Sequence, residues 1–184
     1  GQYDMEYEVE PANGRTKKAD RLKLNLYLDV IGKRPDGYHN LESVMQTVGL
    51  YDTVLMKKND TGKITLSMPG SDLPTDENNI AYRAAKAYLN AAGLSEGLAL
   101  TIEKRIPCGA GLGGGSADAA AVLRALNEMW ELELPLSELA EIGAQVGSDV
   151  PALVLGGPVL MEGRGERVSR IGSSIEQSNN PNNR

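Results

Sequence analysis

Lys23 and Asn25 stand two residues apart in a stretch of alternating character. Strand geometry carries both to one face, roughly 7 Å apart. An ammonium beside an amide either holds an anionic or polar ligand there or belongs to the solvated face of a sheet. Asp149 lies in Gly147-Ser148-Asp149-Val150-Pro151. It either caps a helix with Pro151 in the first turn or presents a carboxylate that takes a proton from a hydroxyl. Between them comes the run Pro107, Cys108, Gly109, Ala110, Gly111, Leu112, Gly113, Gly114, Gly115, Ser116 and Ala117, five of them glycine. Backbone without Cβ atoms can turn its N–H groups inward, and the helix that follows adds partial positive charge. Together they suit a phosphate or polyphosphate. His39, the single histidine, follows Tyr38 after the turn Pro35-Asp36-Gly37. It is either an exposed loop residue or a ligand group.

Other readings of the glycine run are weaker. Gly109, Gly111 and Gly114 satisfy the dinucleotide fingerprint, which needs a strand leading directly into the first glycine and a second strand after the helix. Lys104, Arg105 and Pro107 separate the strand from the glycines, and the following helix leads to another helix. No lysine follows as in the GxxxxGK[ST] loop. A plain connector stays open, although five glycines between a strand and a helix are entropically costly for a linker.

The elements that must position these residues have mixed order. Leu22, Leu24, Leu26, Leu28 and Val30 alternate with polar residues, as in a half-buried strand. Further strands are expected at 43–49, 52–57, 63–68 and 98–102, with the turn Asn59-Asp60-Thr61-Gly62 joining the second and third of these. Helices are expected at 78–92, ended by Gly93, at 116–130, and from a cap at Ser137 to Gly147. A pair of apolar strands broken by Gly156-Gly157 and Gly163 follows. Residues 1–20 read as a leader, in part a tag remnant, in which Tyr7 and Val9 could form a short strand. Residues 21–172 read as one domain and 173–184 as a disordered tail. Several strands precede the first helix, so the fold class expected is α+β with a mainly antiparallel sheet.

The 184 residues suffice for one domain with a core. Apolar residues make up 41% and the net charge is −6, which disfavours broad contact with nucleic acid or anionic membranes. The single cysteine, Cys108, allows no internal disulfide and fits a reducing compartment. No stretch has the length of a membrane span.

The three stretches LKLNLYLDVIGKRPDGYHNLESVMQTVGLYDTV, KRIPCGAGLGGGSADAAAVLRALN and GSDVPALVLGGPVLMEGRGE, spread over about residues 22–168, resemble the GHMP kinase superfamily. The glycine motif indicates the superfamily. Lys-x-Asn followed by Gly-Lys-Arg-Pro-Asp-Gly-Tyr-His narrows the resemblance to the branch acting on a cytidine-diphosphate-linked alcohol. The resemblance implies a two-domain α+β fold of which this chain is the N-terminal, ATP-binding domain, apparently without the C-terminal one. It implies phosphorylation by ATP, with Mg²⁺, of the 2-hydroxyl of 4-diphosphocytidyl-2-C-methyl-D-erythritol in the non-mevalonate route to isoprenoid precursors. It further implies a catalytic pair of Lys23 and Asp149, and substrate contacts from Asn25, Tyr38 and His39. Pro107 to Ala117 would surround the ATP phosphates and Asn79 would lie near the adenosine. Metal ligands are not identified, with Ser116 as a candidate. Partners are the small molecules alone, without nucleic acid or membrane, and the oligomeric state stays open. The location implied is the cytoplasm, or the plastid stroma in a plant. The alternatives are a catalytically incomplete nucleotide-binding domain, or a superfamily kinase for another small alcohol.

Overall fold

The computed structural model describes residues 2–11, 19–29, 51–106, 114–156, 159–163 and 168–171, and side chains over 20–26, 51–106 and 115–156. Seven strands form one mixed sheet: β1 (Gln2–Pro11), β2 (Ala19–Asp29), β3 (Tyr51–Asn59), β4 (Ile64–Ser67), β5 (Gly97–Glu103), β6 (Val159–Gly163) and β7 (Val168–Ile171). Their order is β4-β5-β3-β2-β1-β6-β7. Neighbours pair antiparallel except for β1 with β6 and β4 with β5. The helices are α1 (Ile80–Ala91), α2 (Gly114–Trp130), α3 (Leu136–Ala144) and α4 (Val150–Gly156).

The alternation in β2 reaches its expected outcome. Leu22, Leu24 and Leu26 are buried, whereas Lys23 is exposed and Asn25 half-buried. The leucines face the helical layer, where α2 packs on β2, so Lys23 and Asn25 belong to the opposite face of the sheet. Without phenylalanine, the core is built from Leu, Val, Ile, Met and many alanines of α2, with Tyr88 the largest fully buried side chain among the described residues. The Tyr88 phenol is pushed up to about 12 by burial and donates to Asn127 Oδ1 at 3.1 Å, tying α1 to α2.

Helix α1 starts where Asn79 accepts the Ala81 amide at 2.8 Å, as an N-cap should. It ends at Gly93, whose φ of 69° lets the Leu94 amide reach back to Leu89 O at 2.9 Å.

Three sequence expectations change: the apolar stretch before Gly157 forms helix α4 rather than a strand, and both bounds of α3 differ. Ser137 does not cap α3. Pro135 holds the cap position, and its carbonyl accepts the amides of Glu138 and Leu139 at 2.9 and 3.1 Å. That helix also stops at Ala144, ahead of Gly147, because Gln145 and Val146 close into tighter turns on Ile142 and Gly143. The turn at 59–62 connects β3 to β4 without pairing them. β5 inserts between, and β4 pairs with it in parallel through the α1 crossover. Residues 2–11, within the expected leader, form β1 along the full length of β2. The expected strand at 43–49 and the tail at 173–184 lie outside the described residues.

Candidate functional site

Asn25 takes a fixed orientation from its neighbours on the open face of the sheet. The register sets it opposite Thr53, whose hydroxyl donates to Asn25 Oδ1 at 3.0 Å. Thr53 Oγ1 in turn accepts from Arg105 Nη1 at 3.2 Å, and the same guanidinium lies 4.4 Å from the Tyr51 ring centroid. Lys23, two residues earlier, is exposed beside this row.

Asp149 precedes α4, and its carbonyl accepts the Leu153 amide at 3.3 Å. Its side chain is exposed. Helix α4 is seated by glycine. A Cβ on Gly143 of α3 would stand 2.7 Å from Val150 Cγ1 and 3.4 Å from Leu123 Cδ1. The β-branched valine, confined in its χ1 by the helix, has little room to yield. We expect Gly143→Ala to lower stability by about 1–2 kcal/mol through overpacking, readable as a fall in Tm, and to displace the Asp149 end of α4.

Ile80 is where the glycine segment and the approach to Asp149 meet. A Cβ on Gly115 would stand 3.5 Å from Ile80 Cγ2, and one on Gly147 3.0 Å from Ile80 Cδ1. Asn79, directly before it, is 7% exposed and turned into the protein. Besides its cap bond, it donates to Pro74 O at 2.8 Å and to Met68 Sδ at 3.3 Å. Its cap thereby sets the position of Ile80, against which both glycines rest. Ser116, in the first turn of α2, is half-buried, and Ala117 is buried. Tyr38, His39 and Pro107 to Gly113 lie outside the described residues, as does the side of α2 at Gly114. No ion pair links Lys23 with Asp149 among the described residues.

A buried cluster that sequence reasoning missed flanks the glycine segment. Asp52, fully buried in β3, accepts from Lys104 Nζ at 2.6 Å with Oδ2 and from the amides of Arg105 and Ile106 at 2.6 and 2.8 Å with Oδ1. Lys104 Nζ also donates to Asp118 Oδ2 of α2 at 2.9 Å. Burial would by itself lower the Lys104 ammonium, yet the charges of Asp118 and Asp52 outweigh it and hold it above its ordinary value. Burial, then the Asp52 charge, push the Asp118 carboxyl well above its ordinary 3.8 against the pull of Lys104. A carboxyl raised in the folded state stabilises fully below its unfolded value, and that contribution is lost as pH rises through the folded one. We therefore expect Asp118→Asn to gain stability relative to the parent chain as pH climbs above 3.8, seen in paired thermal melts across pH. A signal was present in the sequence. Asp118 is the one charge in Ser116-Ala117-Asp118-Ala119-Ala120-Ala121, and Lys104 ends an apolar strand.

Comparison with known proteins agrees with the topology. Residues 79–157 match the family described as GHMP kinases N terminal domain. The chain is 50% identical over 151 residues to 4-diphosphocytidyl-2-C-methyl-D-erythritol kinase of Pelotomaculum thermopropionicum, covering 82% of this chain and 53% of that protein. It is 51% identical to the protein of the same name from Brevibacillus brevis, covering 82% and 52%. The chain thus spans about half the length of the curated relatives it matches. Among solved structures, homoserine kinase from Cytophaga hutchinsonii aligns with a TM-score of 0.51 at 24% identity, over 66% of this chain and 42% of that one, a likeness of fold alone. The matched span takes in the glycine segment, Asp118, Gly143 and Asp149, and over it the chain is similar to the N-terminal domain of GHMP kinases.

Proposed function

We propose that this chain is the nucleotide-binding part of an ATP-dependent kinase that phosphorylates the 2-hydroxyl of 4-diphosphocytidyl-2-C-methyl-D-erythritol, a step toward isoprenoid precursors. The observation that carries this reading is the identity of about half of the aligned residues to kinases named for that substrate. The aligned length, 82% of the chain, reaches well beyond the glycine motif that the superfamily shares.

Phosphoryl transfer asks a protein mainly for alignment and charge neutralisation. Amides of 107–115 and the start of α2 cradle the β- and γ-phosphates. Asp149 accepts the proton of the attacking hydroxyl as its oxygen bonds to the γ-phosphorus, and the bond to the bridging oxygen breaks to release ADP. Lys23 offsets charge on the transferring group. Asn25, held through Oδ1 by Thr53, meets the cytidylyl part together with Tyr38 and His39. Asn79 serves the adenosine side by fixing the start of α1 rather than through a side-chain atom aimed at solvent.

Mg²⁺ fits this arrangement as an ion held chiefly by phosphate oxygens. Ser116 supplies a suitable oxygen in the first turn of α2, and the bound ion would neutralise phosphate charge.

A coupled assay of ADP release tests the reading. Turnover is expected with the cytidylyl alcohol and not with mevalonate or homoserine. Selective turnover of either of the latter would replace the substrate assignment, and ATP binding without any turnover would leave a non-catalytic nucleotide-binding domain.

A further inference from the structure

Residues 107–113 have their two anchors fixed by one ion cluster. Lys104 and Ile106 lie just ahead of that segment, and Asp118 sits one turn into the helix that follows it. The Lys104 ammonium reaches Asp52 on β3 at 2.6 Å and Asp118 on α2 at 2.9 Å. Asp52 meanwhile grips the backbone leaving β5 through the amides of Arg105 and Ile106, at 2.6 and 2.8 Å. Asp52 is 0% exposed, Asp118 is 3% exposed, and Asp118 Oδ1 has no hydrogen-bond partner among the described residues.

For stability alone this is a poor design. Two carboxylates share one ammonium away from water, and apolar side chains of similar volume commonly do as well or better. What an apolar replacement cannot supply is direction. The cluster ties the β5 exit to the α2 start through the Lys104–Asp118 bond, while Asp52 fixes Lys104 and the Arg105 and Ile106 amides on the β5 side. A glycine-rich connection imposes no such tie of its own, because its residues have wide conformational freedom.

We propose that Asp52, Lys104 and Asp118 are positioning residues for nucleotide binding, holding the two ends of the glycine segment at the separation its amides need to receive the ATP phosphates. The proposal rests on the reading above that this segment takes ATP. All three side chains are turned into the protein, with Asp52 and Asp118 0% and 3% exposed, so their removal is expected to weaken ATP through the segment they hold and to leave the cytidylyl side alone.

The test titrates ATP and, separately, CDP into the full chain by calorimetry for the parent, Asp118→Asn and Asp118→Ala. Losing the hydrogen bond in the alanine variant is expected to weaken ATP by about tenfold or more, and the neutral bond of the asparagine variant by about threefold. CDP should stay within about twofold throughout. The asparagine variant should also melt no lower than the parent at neutral pH, which separates positioning from general stabilisation. Folded variants that bind ATP like the parent overturn the proposal, as does a loss of ATP and CDP together in step with Tm. Where the alanine variant does not fold, the asparagine variant decides. Faster amide hydrogen exchange at 107–113 with weaker ATP supports the proposal, and parent-like behaviour in both overturns it. A parent chain that binds CDP but no ATP sinks the nucleotide reading itself, and the positioning role with it. Parent-like ATP binding in well-folded variants sinks the positioning role alone.

Discussion

Asp149→Asn is expected to slow phosphoryl transfer by about 10²–10⁴-fold while ATP affinity stays within a few-fold. The asparagine keeps the size of the side chain and its exposed place ahead of α4. It also leaves intact the Asp149 carbonyl that accepts the Leu153 amide at 3.3 Å, so the backbone entry to the helix survives. What disappears is the carboxylate proposed to take the proton of the attacking hydroxyl. Single-turnover rates with the cytidylyl alcohol, measured beside equilibrium ATP binding, separate the two effects. An equal fall in ATP affinity and rate would mean that Asp149 acts in binding rather than proton transfer. Lys23→Met should reduce the rate in the same way, because the role proposed for its ammonium lies in the transition state rather than the resting fold. Lys23 is exposed on the open face of β2, so neither substitution is expected to change Tm appreciably.

Asp52→Ala is expected to destabilise the domain by about 3–5 kcal/mol. The carboxylate is 0% exposed. Its removal leaves the buried Lys104 ammonium with Asp118 as its one remaining carboxylate partner in the cluster, and strips the Arg105 and Ile106 amides of their acceptor. A buried donor left unmatched forfeits the water it gave up on folding. Chemical denaturation of the parent and variant reads this as a lower midpoint. A change below about 1 kcal/mol would mean that water or another side chain replaces the carboxylate readily, since the penalty is one of lost solvation.

The sequence was most informative where local chemistry decides the outcome. Leu22, Leu24 and Leu26 gave the inward face of β2 because a strand alternates whatever surrounds it. Gly93 ended α1 through its left-handed backbone, and the glycine run stood at the threshold of a long helix. Pairing between distant strands was less legible. Nothing local in Ile64–Ser67 says that β5 would enter between it and β3, because that choice belongs to the crossover through α1. Ser137 looked like a cap by residue type, yet the extended backbone of Pro135, at φ −63° and ψ 153°, set the start of α3 two residues earlier. The charged cluster escaped for the same reason as the strand order. Asp52 and Lys104 are 52 positions apart, and only the antiparallel pairing of β3 with β5 brings them together. Of the candidate site, residue types and the helix starts could be read directly. The meeting of Gly115 and Gly147 at Ile80 required the packed helices.

The most direct test is a crystal structure of the chain with a non-hydrolysable ATP analogue and Mg²⁺. The β- and γ-phosphates are expected against the amides of 107–115 at the start of α2, with the Lys23 ammonium and the Asp149 carboxylate both turned toward the γ-phosphate. Phosphates seated elsewhere, or the Lys23 ammonium and the Asp149 carboxylate failing to converge on the γ-phosphate, would contradict this arrangement.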